Sequence, residues 1–168
     1  MNECILYYKK NVKQLNNWLD DRGFNRDSGE KKLNPIAWCH GAAGILLSRM
    51  YAYDFVPEGL KTDLLNDMNK AAEAIFNAGI LQNNCLCHGN CGNFEILAYY
   101  VRKYCPDRVK ECESYWNFII GQVLDKNWKC ELPTAYENAS FMIGVSGIGY
   151  AILRHMDNSL PEILSVSL

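Results

Sequence analysis

The chain has 168 residues, enough for one domain with a real core, and 49% of them are hydrophobic, which excludes a disordered chain. Its formal net charge is −2, with Lys and Arg scattered, so it carries no electrostatic footprint for nucleic acid. The longest wholly apolar runs are a few residues, far short of a membrane span.

Apolar spacing predicts helix almost throughout. Ile5, Leu6, Val12, Leu15 and Leu19 give a moderate helical pattern over Cys4 to Trp18. Asp20 to Pro35 reads as a loop, with Gly23, Gly29 and a charged run. A helix is expected to start in Gly41-Ala42-Ala43-Gly44, run through Ile45, Leu47 and Met50, and break at Pro57. Leu60, Leu64, Met68, Ala71, Ala72, Ile75 and Phe76 form the clearest amphipathic stripe, closed by Gly79. Gly89-Asn90-Cys91-Gly92 opens another helix, stopped before Pro106, and a long partner follows through Val109, Cys112, Trp116 and Val123. Lys126 to Ser140 reads as a loop, and the third such step, Gly144 to Gly147, opens a final helix from Ile148 to His155, with His155 late in it expected to be exposed or capping rather than catalytic.

The unit is therefore a GxxG turn, a helix, a connection and a second helix. It recurs after 48 residues, from Gly41 to Gly89, and after 55, from Gly89 to Gly144. Sustained repetition of helix pairs implies stacking, as a solenoid or a closed ring. Cys-His precedes the first two steps, as Cys39-His40 and Cys87-His88, whereas Met142-Ile143 precedes the third. The turn thus needs its glycines but not Cys or His, which makes the latter candidates for chemistry. Equivalent turns in such an array lie on one side, so the two Cys-His pairs are expected to face each other.

Thiolate and imidazole together select zinc or another soft transition metal. Cys39, His40, Cys87 and His88 offer four donors, and spacing alone leaves open three or four ligands, or cysteines that pack while the histidines cap helices. Adjacent side chains rarely reach one ion together, so at least one His is expected to serve otherwise. Cys85, Cys91, Cys105 and Cys112 read as packing residues, and Cys4 and Cys130 show no visible partner. With no apolar leader segment at Met1-Asn2-Glu3-Cys4, a cytoplasmic location with reduced thiols is expected.

Residues 37–45 and 87–93 resemble the two zinc motifs of the lanthionine synthetase C-like cyclases. Asn17-Trp18-Leu19-Asp20 resembles the segment that precedes the first motif. Ser140 to Tyr150 and Leu160-Pro161-Glu162-Ile163-Leu164 resemble the close of the bifunctional type-2 enzymes, whose cyclase domain follows a dehydratase. The resemblance implies an all-α fold, part of an α/α toroid with about three of seven helix-hairpin repeats, and one partial cyclase domain over residues 1–168. It implies a zinc ion (Zn2+) on Cys39, Cys87 and His88. His40 is left as the local acid/base candidate for catalysis. The implied reaction adds a peptide Cys thiol to a dehydroalanine or dehydrobutyrine and closes a thioether ring. The implied partner is a dehydrated precursor peptide, with the rest of the synthetase or a second copy as further candidates. Where the family has seven repeats this chain has three, so it is expected to be a carboxy-terminal portion. Alone, it is expected to bind thiol peptides without efficient ring closure. The alternative is a catalytically incomplete zinc-dependent binding or helical interaction module.

Overall fold

The structure is a computed structural model that describes Trp18, residues 36–130 and residues 138–165. The helix expected over residues 4–18 and the loop over 20–35 lie outside the described residues, Trp18 apart. Five α-helices follow in chain order: α1 (Ala42–Ala52), α2 (Glu58–Ala78), α3 (Asn90–Tyr104), α4 (Val109–Leu124) and α5 (Val145–Met156). A 3₁₀ turn, Pro106–Arg108, joins α3 to α4, and no β-strand occurs among the described residues. The all-α expectation holds. The final helix starts three residues earlier than its apolar pattern suggested, at Val145, because the GxxG step itself supplies its first turn.

Local chemistry explains the boundaries. Pro57 sits in extended backbone directly ahead of α2, where its missing N–H costs nothing. The same helix closes at Gly79, whose φ of 60° lets its N–H reach the carbonyls of Ile75 and Phe76, both at 3.2 Å. Pro106 forbids continuation of α3, which ends at Tyr104.

Helix α3 is central. It packs against α1, α2, α4 and α5, and its apolar residues Phe94, Ile96, Leu97, Ala98, Tyr100 and Val101 are buried around most of its circumference. Leu46 and Met50 of α1, Met68, Ala71 and Ile75 of α2, Trp116 and Ile119 of α4, and Ile148 and Ala151 of α5 complete one continuous core. Several polar groups inside it are paired. Arg49 of α1 meets Asp67 of α2 at 3.0 Å, Arg154 of α5 meets Glu95 of α3, and the Trp116 indole donates to the Phe94 carbonyl at 3.3 Å. Burial raises the Glu95 carboxyl above its ordinary range, and the facing Arg154 partly offsets this.

His155 is a correction to the sequence reading, which placed it exposed or capping. Its side chain is only 12% exposed, bonded to Glu113 at 3.2 Å, and its ring stacks on Trp116 with centroids 4.6 Å apart.

The three GxxG turns share one construction. A Cβ on Gly44 would lie 2.1 Å from the Trp38 carbonyl oxygen. One on Gly92 would lie 1.8 Å from that of Leu86, and one on Gly147 1.8 Å from that of Phe141. In every copy the second glycine lets the helix sit on the carbonyl six residues upstream, where no side chain fits.

Two predictions follow from these contacts. Gly92→Ala should cost about 1–3 kcal/mol or more by overpacking. Gly121→Ala, in α4 with open space around it, should stabilise by about 0.5–1 kcal/mol, both read by urea unfolding. Burial also lowers the His155 pKa, against the opposing pull of Glu113 and with help from Arg102. The folded chain then binds fewer protons there than the unfolded one, so stability should fall as pH drops through the ordinary value near 6.5. Thermal unfolding at pH 7 and pH 5 should show the loss, and His155→Gln should flatten it.

Candidate metal centre

The first two GxxG turns carry the Cys-His pairs, and the fold brings them together. The Cys39 N–H donates to the Cys87 carbonyl at 3.3 Å, and the Cys87 N–H donates to the Met142 carbonyl at 2.9 Å. Equivalent positions of the three repeats are thereby strung on one line of backbone hydrogen bonds. One ligand atom each from Cys39, Cys87 and His88 lies within 4.8 Å of the others. Tetrahedral zinc, with bonds of about 2.0–2.3 Å, wants its donors roughly 3.3–3.8 Å apart. The donors need to close by at most about 1 Å, and two sulfurs with one imidazole are one of the donor sets that zinc takes. The residues present fit the ion.

Exposure grades across the cluster. Cys39 is exposed, Cys87 and His88 are half-buried, and the Nε2 atom of His88 is sealed from solvent. His40, next to Cys39 and half-buried, is not a member of the cluster. In the third repeat, Met142 and Ile143 stand where Cys and His stood, so that turn contributes a carbonyl and apolar side chains.

Asparagines hold the turns, a role the sequence reading missed. The Asn83 side chain accepts from the Cys85 N–H at 3.3 Å, and Asn138 accepts from Ser140 at 2.9 Å, an Asx turn made twice. The same two residues accept the first N–H of α3 and of α5 on their backbone carbonyls, at 3.0 and 2.7 Å. Asn90 is fully buried: its amide donates to Leu81 at 3.0 Å and to Asn84 at 2.7 Å, and it accepts from the Leu81 N–H at 2.7 Å. Asn93 donates to the Ile36 carbonyl at 2.8 Å, which fixes the approach to the first motif. The available signal was Asn seven residues ahead of both helix starts, in Asn83 and Asn138.

The remaining cysteines are packing residues where the structure describes them. Cys85, Cys91 and Cys112 are buried. Burial pushes the Cys91 thiol far above its ordinary range and the Cys112 thiol up to about 12. Cys105 and Cys130 are half-buried. Among the described residues no helix is long and apolar enough to cross a membrane.

Helix pairs arrayed about a line of glycine turns, with a Cys-Cys-His cluster where two turns meet, define a class of helix-hairpin repeat proteins with a candidate metal centre. The chain belongs to the lanthionine synthetase C-like protein family, whose model matches residues 1–168. That family is an α/α toroid, and the helices described above are part of one. A curated relative is the lacticin 481/lactococcin biosynthesis protein LcnDR2 of Lactococcus lactis subsp. lactis, 27% identical over 129 residues. The match takes in 71% of this chain and 14% of that protein, so the chain spans about a seventh of its relative's length.

Thiol labelling should rank the cysteines. In metal-free protein at pH 8, Cys39 should alkylate fastest among the described cysteines, whereas Cys91 and Cys112 should react only on unfolding. Peptide mapping after timed iodoacetamide exposure checks the order.

Proposed function

We propose that residues 1–168 are the zinc-bearing, carboxy-terminal portion of a lanthionine cyclase domain that acts on dehydrated precursor peptides. The observation that carries this reading is the convergence of Cys39, Cys87 and His88 from turns 48 residues apart in a chain of this family. Cys39, Cys87 and His88 would hold the ion through two sulfurs and one imidazole nitrogen. Zinc there would lower the pKa of a bound peptide thiol and present it as a thiolate nucleophile.

Cys39 and Cys87 would bring two anionic sulfurs to the site, which would limit the ion's pull on the electrons of a peptide sulfur. Cys39 lies at the exposed side, where a peptide can approach, and His88 lies at the sheltered side. In the proposed reaction the peptide thiol would lose its proton to solvent, its sulfur would bond to the β-carbon of a dehydroalanine or dehydrobutyrine as the C=C bond opens, and the α-carbon would take up a proton. His40, beside Cys39 and outside the donor set, is the proposed source of that proton. Met142 and Ile143 would supply an apolar flank for the peptide.

The wild-type chain should carry one zinc, and Cys87→Ala and His88→Ala should each lose it. His40→Ala should keep zinc and, in a synthetase that contains this portion with its remaining repeats, should slow thioether formation by about 10²–10⁴-fold, the usual loss of a general acid. Metal analysis gives the first result. Mass spectrometry after thiol alkylation of a dehydrated peptide gives the second, since closed rings resist the reagent. Equal zinc in wild type and Cys87→Ala would remove Cys87 from the site. Equal loss in His40→Ala and His88→Ala would favour four ligands.

A further inference from the structure

The exposed Cys39 has little packing of its own to hold it, so its position depends on the backbone on either side. Downstream, α1 begins on Gly44, which sits against the Trp38 carbonyl. Within the turn, the Cys39 N–H is bonded to Cys87. Asn93 of α3 holds the Ile36 carbonyl ahead of it, and a further anchor comes from 126 residues away: the Trp38 indole Nε1–H donates to the Leu164 carbonyl at 2.9 Å. Leu164 is itself only 4% exposed and belongs to the main core.

The segment that delivers this carbonyl is tied down along its length. Arg102 donates to Asn158 at 2.7 Å, Arg154 donates to the Leu160 carbonyl, and the Tyr150 hydroxyl donates to the Pro161 carbonyl at 2.7 Å. Glu162 then shapes the end. Its carboxylate accepts the Leu164 N–H at 2.6 Å and the Ser165 N–H at 2.8 Å, and it accepts the Tyr51 hydroxyl of α1 at 3.4 Å. The Ser165 hydroxyl also bonds Tyr51, at 2.8 Å. The segment thus runs from the end of α5 across α3 to α1, and its last act is to hold the residue before Cys39.

We infer that residues 157–165 are a positioning strap for the first metal-binding turn, with Trp38 and Glu162 as its positioning residues. The inference rests on the metal reading above for its consequence, but not for its geometry. Groups that orient a metal ligand without touching the metal typically change affinity by about 10–100-fold when removed. Trp38→Phe keeps an aromatic ring against the core while deleting the indole N–H with its five-membered ring. Glu162→Gln weakens the carboxylate that shapes the strap and leaves Trp38 intact.

The experiment measures both variants and wild type as full chains. Amide hydrogen exchange is read at Cys39 and Cys87, and zinc affinity by competition with a chromophoric chelator. Both variants should exchange the Cys39 amide at least about tenfold faster, leave the Cys87 amide unchanged, and bind zinc about tenfold more weakly. Uniformly faster exchange at both amides would mean general destabilisation and overturn the inference. So would wild-type exchange at Cys39, or zinc affinity within about twofold of wild type. If the wild-type chain takes up no zinc, the metal reading falls, and exchange at Cys39 alone decides the strap.

Discussion

The structure depends on the close approach of each helix start to the carbonyl upstream of it. Gly44 on Trp38, Gly92 on Leu86 and Gly147 on Phe141 are the same contact made three times. Removing the side chain there folds the connecting segment back onto the helix, which points the two residues ahead of the first glycine toward one common line. Backbone hydrogen bonds from Cys39 to Cys87 and from Cys87 to Met142 then join successive turns along that line. Everything specific about the donor cluster is downstream of this geometry. The third repeat separates the two functions: it keeps the glycine contact and the backbone bond but carries Met142 and Ile143. The turn is a scaffold on which donors are optional.

Most of the helical layout was legible because each signal had a local cause. The stripe in α2, the stop at Pro106 and the closure at Gly79 all act within a few residues of themselves, whereas α1 ends at Ala52, ahead of the break expected at Pro57. The juxtaposition of the Cys-His pairs was legible for a different reason. A repeat converts separation in sequence into adjacency in space, so two weak dipeptides became one expected cluster. What could not be read was long-range polar pairing. The Trp38–Leu164, Asn93–Ile36 and Arg154–Glu95 contacts join residues 126, 57 and 59 positions apart without periodic spacing. His155 was misplaced on the same account, since its burial comes from stacking on Trp116 of another helix.

Buried asparagines deserve the same physical reading as the glycines. A loop that folds back leaves backbone donors and acceptors facing an apolar interior, where an unsatisfied one costs about 1–3 kcal/mol. Asn90 meets both the N–H and the carbonyl of Leu81, and Asn84 links the same loop to Gln122 of α4 and to the Lys129 carbonyl. An amide side chain is suited to this because it donates and accepts at once. The loop ahead of the second motif is therefore pinned to two other elements, whereas the first motif is pinned by Asn93 from α3 and by Leu164 near the far end.

Splitting the donors between two repeats has a consequence for lifetime. Cys39 belongs to the turn ahead of α1, whereas Cys87 and His88 belong to the turn ahead of α3. No single helix pair contains the cluster, so it exists only while those two units are docked. In arrays of repeats, neighbouring units can part without the whole chain unfolding. The opening that disperses the three donor atoms is then this one parting, which leaves α3, α4 and α5 assembled. The cluster's persistence follows the free energy of that partial opening, which is smaller than the free energy of complete unfolding.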